Sequence, residues 1–285
     1  MTLQQAQQQL RFQLNHLYSD TESNNIADWV MQYITGLPRI DRVVNKKIPL
    51  LPAQSEQLDR IQKQLLDHKP IQYILNESWF YGMKLYVDEN VLIPRPETEE
   101  LVDWVVKEVK AAGKTELAIL DIGTGTGCIP LAIKKALPGC EVYGLDISEG
   151  ALTVARKNAQ LQGLSVHFMH FDILSRTIPE QFPRFGIIVS NPPYIPLSDK
   201  DSMADNVVKY EPWLALFVEN EDPLVFYREI LLFAENNLKE EGWIYFEIHE
   251  RLGDHLRELV DNTSFKHFQL VKDLQGKNRL LRIQK

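Results

Sequence analysis

An α/β fold is predicted: a doubly wound, mostly parallel seven-stranded sheet, preceded by a small all-helical domain that a β-hairpin joins to it. Three observations predict it. Leucines recur at helical spacing through the first 72 residues. From residue 97 onward, short apolar runs alternate with helical segments. A glycine-rich turn separates the first of those runs from the next helix. A chain of 285 residues is long enough for one large domain and a smaller one.

The boundaries follow from the pattern. Leu10, Leu14, Leu17 and Tyr18 share one helix face, and Leu58, Ile61, Leu65 and Leu66 share another. Pro52 is tolerated near the start of the second helix, where an N–H has no intrahelical partner. Gly36-Leu37-Pro38 separates the helical pieces, so residues 1–72 read as a helical bundle. Residues 73–96 read as the hairpin, with strands at Phe80-Tyr81-Gly82, Lys84–Val87 and Val91–Ile93 around a turn at Asp88-Glu89-Asn90.

Residues 97–285 form the sheet domain. Strands are expected at 117–122, 141–145, 166–171, 185–190, 243–248, 268–274 and 279–283. The apolar run at 117–122 is that of a strand buried on both faces. Helices are expected at 99–109, 129–137, 223–238 and up to Asp261, and one from Ser148, a suitable N-cap, to Gly163, a suitable stop. Gly242 is read as the end of the helix that begins at Pro223.

Asp121-Ile122-Gly123-Thr124-Gly125-Thr126-Gly127 follows a strand and opens a helix, so its glycines can let a ligand approach the backbone. The spacing is G-x-G-x-G rather than the dinucleotide G-x-G-x-x-G, and no GK[ST] follows, which excludes a P-loop. Asp146 ends the second strand, where a carboxylate accepts both hydroxyls of a ribose. Asp172 closes the third strand, suited to an adenine amino group. Asp146 alone reads equally as a helix-capping acid before Ser148, and Asp172 alone reads more readily as structural than as a ligand. Together these strand ends suit an adenosine without a pyrophosphate.

Ile187–Ser190 runs into Asn191-Pro192-Pro193-Tyr194. This tetrapeptide suits a planar NH2 as a methyl acceptor. An amide lone pair is delocalised, with a rotation barrier of about 18–20 kcal/mol, so the nitrogen must be held facing a methyl donor. The Asn191 side-chain oxygen can accept one N–H and the Pro192 carbonyl the other. Proline adds no competing N–H, and the Tyr194 ring can cover the flat group. No strong base is needed, since the proton becomes acidic only as positive charge develops on nitrogen. Orientation and preorganised dipoles are the protein's contribution.

These two motifs resemble those of the class I, Rossmann-like S-adenosylmethionine-dependent methyltransferases that act on planar nitrogens. Pro70–Ile74, Val91–Glu99, Tyr210-Glu211-Pro212, and Lys272–Gly276 with Arg279 resemble the bacterial release factor glutamine N5-methyltransferases more specifically. The resemblance covers residue 70 to the end in motif and the helical part in character. It implies methyl transfer from S-adenosyl-L-methionine to the Gly-Gly-Gln glutamine of class I peptide chain release factors. It implies donor-binding residues at Gly123, Thr124, Gly125, Thr126, Gly127, Asp146, Asp172, Ile173 and Asn191. The substrate glutamine would sit on Asn191, Pro192, Pro193 and Tyr194, with Asn191, Pro192 and Tyr194 catalytic. The helical domain would help dock the factor. After Glu247 this chain has Ile248-His249-Glu250 where the family often has glycine and glutamine. Glu247 and His249 could shape the pocket, though such a strand-end pair is more often structural. Arg95 could pair with a nearby acid or approach the donor's carboxylate.

Other readings remain at this point. A glutamine methyltransferase of a ribosomal protein would share the catalytic parts. An amino methyltransferase of adenine or guanine in nucleic acid would need a basic recognition region. A binding module that kept only the fold would not need both motifs. Residues 1–85 hold 9 Lys and Arg against 8 Asp and Glu, a net of +1. The remaining 200 hold 22 against 31, a net of −9, which disfavours a phosphate backbone as partner. No run approaches the roughly 20 apolar residues of a membrane span. No signal peptide is visible, and Cys128 and Cys140 give neither a disulfide framework nor metal spacing. A cytoplasmic protein without a metal is expected.

Overall fold

A computed structural model describes residues 1–114, 116–175 and 182–285. The chain divides into two compact units, one of Met1–Asn76 with Ala204–Tyr210 and one of Glu77–Met203 with Glu211–Lys285.

The small unit is helical: α1 (Leu3–Leu14), α2 (Asp20–Thr35), α3 (Arg39–Val44), α4 (Pro52–Leu66) and α5 (Ile71–Leu75). Local chemistry sets the ends. Thr2 and Gln5 form a capping box, Ser19 caps α2, and Gly36 closes it in the left-handed conformation. Leu10, Leu14, Ala27, Val30 and Leu65 are fully buried in its core. Buried Arg42 pairs with Asp28 and donates to the Leu37 carbonyl. The face drawn through Leu17 and Tyr18 is one turn too long. α1 stops at Leu14, and the Leu17 and Tyr18 amides turn back to its carbonyl. Leu66 is exposed, so the buried stripe of α4 is Leu58, Ile61 and Leu65.

The large unit opens with a hairpin of β1 (Ser78–Phe80) and β2 (Met83–Leu85). Its turn is Tyr81-Gly82, with φ of 48° and 68°, the doubly positive pair of a type I′ connection. A turn does form at Asp88–Asn90, with the Val91 amide on the Asp88 carbonyl at 3.2 Å, but the hairpin closes at Tyr81-Gly82 instead. That segment is closed by Asp88, whose side chain accepts the Asn90 amide, and Val91–Ile93 is irregular. Phe80, Met83 and Leu85 are buried in the core of the large unit.

Then come α6 (Pro96–Ala111), β3 (Ala118–Ile122), α7 (Cys128–Ala136), β4 (Glu141–Asp146), α8 (Glu149–Gln162), β5 (His167–His170) and β6 (Phe185–Ser190). A two-stranded patch of β7 (Ile195–Pro196) and β8 (Phe217–Val218) follows. Between these strands lies α9 (Asp205–Tyr210), part of the small unit, where Lys209 and the Tyr210 hydroxyl bind the Asp67 carboxylate at 2.7 and 2.8 Å. α10 (Val225–Asn237), β9 (Leu238–Glu247), α11 (Gly253–Asp261), β10 (Lys266–Lys272) and β11 (Asn278–Gln284) complete the chain. Gly242 does not end α10. The helix passes straight into β9, and Gly242 belongs to a bulge, because Phe185 pairs with Leu238 but Ile187 with Trp243.

Among the described residues the main sheet has seven strands in the order β10-β11-β9-β6-β3-β4-β5. β5, β4, β3, β6 and β9 are parallel, and β11 runs antiparallel to both its neighbours. This is the doubly wound fold that the alternation predicts. Val105, Ile129 and Ile133 fill one face, and Tyr227, Phe246 and Leu256 the other. The chain winds outward from β3 to β5 and then returns to β6 on the other side of β3. A crevice opens at the carboxyl ends of β3 and β6, the usual ligand position in such sheets. Among the described residues, no helix is long and apolar enough to cross a membrane.

Candidate active site

The floor of that crevice is the turn after β3. Gly123, Gly125 and Gly127 all have left-handed φ, between 51° and 77°. The Gly123 and Thr124 amides bond the Leu145 carbonyl at 2.9 and 2.8 Å, which sews the turn to the end of β4. The Gly125 amide donates to one oxygen of Asp146 and the Ser148 amide to the other, at 2.8 and 2.9 Å. Burial raises the Asp146 carboxyl above its ordinary value, and the backbone donors draw it back. Each oxygen keeps a lone pair for a further donor.

Gly123, Gly125, Asp146, Asp172, Ile173 and Asn191 line one cleft, together with Leu145, Ile147, Phe171, Pro192 and Pro193. Thr124, Thr126 and Gly127 build the turn instead of lining it. Both threonine side chains are buried, and Thr126 Oγ accepts the Cys128 amide. Asp172 caps its own turn by accepting the Leu174 amide at 2.9 Å.

The loop after β6 carries the reacting motif. Asn191, Pro192 and Pro193 line the cleft, whereas Tyr194, whose ring is expected to cover the flat group, is not among its lining residues. The Tyr194 hydroxyl donates to Glu247 Oε1 at 3.3 Å, and its ring tilts against His249 with centroids 5.9 Å apart. Burial and the Glu247 charge push the Tyr194 hydroxyl well above the usual phenol range. Asn191 Nδ2 donates to Thr98 Oγ at 3.2 Å, and Thr98 Oγ donates to Glu247 Oε2 at 2.6 Å. Arg95 binds buried Glu211 at 2.6 Å, and the second Glu211 oxygen accepts the Ile93 amide. Of the two roles open to Arg95, pairing with an acid is the one observed.

The contacts of several residues at this site carry no signal in the sequence pattern, although the residues lie in or beside its motifs. Thr98 and Glu247 meet across 149 residues of chain, which no local spacing reveals. Asp121 begins the glycine turn and is 1% exposed; neither of its oxygens meets a donor at bonding geometry. Burial pushes its carboxyl up to about 7. Asn90, Val91 and Leu92 form a wall of the cleft. Gly150 admits them, because a Cβ there would stand 2.7 Å from Asn90 Oδ1. Among the described residues no group of three or more His, Cys, Asp and Glu could hold a metal ion.

Comparison with known proteins adds the family. Residues 102–211 match the methyltransferase small domain and residues 5–75 the PrmC N-terminal domain. A release factor glutamine methyltransferase of Flavobacterium psychrophilum is 42% identical over 95% of this chain and 94% of its own length. One of Bacteroides thetaiotaomicron is 38% identical over 95% and 96%. Among solved structures, the hMettl16 catalytic domain in complex with MAT2A 3'UTR hairpin 6 is 16% identical. It aligns with a TM-score of 0.56 over 82% of this chain and 81% of that one, a likeness of fold.

Proposed function

Because the chain belongs to the release factor glutamine methyltransferase family, we propose that it transfers a methyl group from S-adenosyl-L-methionine to the glutamine N5 of the Gly-Gly-Gln motif in class I peptide chain release factors. One observation carries the reading: the glycine turn with Asp146 and the Asn191-Pro192-Pro193 loop line the same cleft.

The residues fit the donor. Added Cβ atoms at Gly123 and Gly125 would meet nothing within 4 Å, so the backbone there faces open space. Asp146 suits the ribose hydroxyls, Asp172 the adenine amino group, and Leu145, Ile147, Phe171 and Ile173 give the adenine apolar walls. The donor supplies an electrophilic methyl on a sulfonium. The chain's own work is orientation. Asn191 Oδ1 and the Pro192 carbonyl would accept the two N–H bonds of the substrate amide and aim its nitrogen. Both acceptors gain strength as positive charge builds on that nitrogen, which stabilises the transition state more than the ground state. Holding the reacting atoms about 3–3.5 Å apart adds the entropic advantage of a preassembled pair. Tyr194 would support the loop and close it against Glu247.

The helical unit would dock the release factor, and the reaction would take place in the cytoplasm, where translation ends. The acidic balance of residues 86–285 supports a protein rather than a nucleic acid as substrate. Incubation with purified release factor and labelled donor, followed by mass spectrometry, should place the label on the Gly-Gly-Gln glutamine. Label on a ribosomal protein or on nucleic acid instead would overturn the substrate. Asn191→Ala should abolish transfer and leave donor affinity, read by calorimetry, within a few-fold of wild type.

A further inference from the structure

An asparagine amide has two ends of nearly equal shape and opposite polarity. Asn191 can grip a substrate NH2 only if its oxygen, and not its own NH2, faces the cleft. We propose that Thr98 and Glu247 form a hydrogen-bond relay that holds the Asn191 amide in that sense, so that both are positioning residues for methyl transfer. The inference deepens the functional reading above and rests on it.

The direction follows from counting protons. The Thr98 hydroxyl has one, and it lies 2.6 Å from Glu247 Oε2 and 3.2 Å from Asn191 Nδ2. An ionised carboxylate only accepts, so the proton goes to Glu247. The oxygen that Thr98 presents to Asn191 is then an acceptor, and only the Nδ2 end can answer it. A flipped amide would set lone pairs against lone pairs. Thr98 is 3% exposed and Glu247 2%, so the mismatch would be buried, where it is costly.

Each member is itself held. Thr98 sits in the first turn of α6, two residues after Pro96 and three after Arg95, which pairs with Glu211. Glu247 ends β9, next to β6 in the sheet. Its second oxygen accepts from Tyr194, and its backbone carbonyl accepts from Tyr227 at 3.1 Å.

The relay depends on the charge of Glu247. A protonated Glu247 becomes a donor, turns the Thr98 hydroxyl toward Asn191 and selects the wrong end of the amide. The groups that face Glu247 are Thr98 and Glu97 from α6, Cys128 from α7, Tyr194, Tyr227 from α10, and Arg279 from β11. Burial raises the Glu247 carboxyl above the ordinary carboxylate range, while Thr98 and Arg279 favour its ionised form. The relay is complete above that raised value and lost as pH falls through it.

The test reads the amide directly. In the full-length 15N-labelled protein, the Asn191 side-chain NH2 resonance is the one lost in Asn191→Ala. Its shift should follow an acid titration in wild type and in Thr98→Ser, and should not in Thr98→Val or Glu247→Gln. In turnover with release factor, Thr98→Val should lower kcat by on the order of tenfold or more. Donor Kd and release-factor KM should stay near wild type, and Thr98→Ser should restore kcat. If Thr98→Val does not fold, Glu247→Gln carries the same readouts. A resonance that still titrates in the folded variants, or a kcat they leave unchanged, overturns the relay. The resonance needs no substrate. A wild-type protein that fails to label release factor would therefore sink the functional reading and leave the relay to stand or fall on the spectra.

Discussion

Gly127 carries two constraints at once. Its φ of 77° is left-handed, and a Cβ would meet the Ala155 Cβ and the Phe168 ring at 3.2 Å. Gly125, at φ 51°, has the first constraint without the second. Gly127→Ala should therefore cost about 1–2 kcal/mol from backbone strain and more from crowding. Urea denaturation should rank it below Gly125→Ala in stability. Asp121 is a different case, a buried acid whose carboxyl stands at about 7 instead of 3.8. Between those values the folded chain holds a proton that the unfolded chain releases. The group's contribution to stability therefore falls as pH rises from about 4 to about 7. Asp121→Asn should flatten that part of the stability–pH curve: between pH 5 and pH 8 the wild type should lose on the order of 3 kcal/mol more than the variant in denaturation series.

Among the elements, α8 is the brace. Asn158 is fully buried on it. Its Oδ1 accepts the Tyr86 amide at 2.7 Å, and its Nδ2 donates to the Tyr86 and Thr126 carbonyls at 2.9 and 3.0 Å. One amide thus joins the end of the hairpin, the helix and the glycine turn. Asn158→Ala should strand those backbone groups and cost about 2–3 kcal/mol in urea. It should also weaken donor binding, because the Thr126 carbonyl is released. The parallel strands were legible because burial on both faces leaves an unbroken apolar run, as in Phe185–Ser190. α8 was legible from Ser148 and Gly163, whose caps are local chemistry. The hairpin turn was misread because Asp88-Glu89-Asn90 has turn composition, while the pairing depends on Tyr81 accepting a left-handed φ beside Gly82. Gly242 looked like a stop because a bulge and a helix end use the same residue. In the site, the Asn-Pro-Pro-Tyr motif was legible as consecutive residues. Its support by Thr98 and Glu247 is tertiary, and so has no period.

Over the whole molecule, the two units differ in charge and in surface. On the helical unit Ile40, Val43, Val44 and Leu51 are between 59% and 74% exposed. Such exposure has no benefit to an isolated helical core and suits a docking face. Ile40→Glu with Val44→Glu should raise the release-factor KM by about tenfold or more, since burying one such side chain is worth about 1.5–3 kcal/mol. Donor Kd, read by calorimetry, should not move. The strand order has a consequence for assembly. β10 precedes β11 in the chain, yet among the described residues it reaches the sheet only through β11. β10 cannot join before its successor is in place, so β11 should pair with β9 first and β10 should add last, at the edge that β11 offers. In hydrogen-exchange experiments, amides bonded across the β10–β11 seam should therefore never outlast those between β11 and β9.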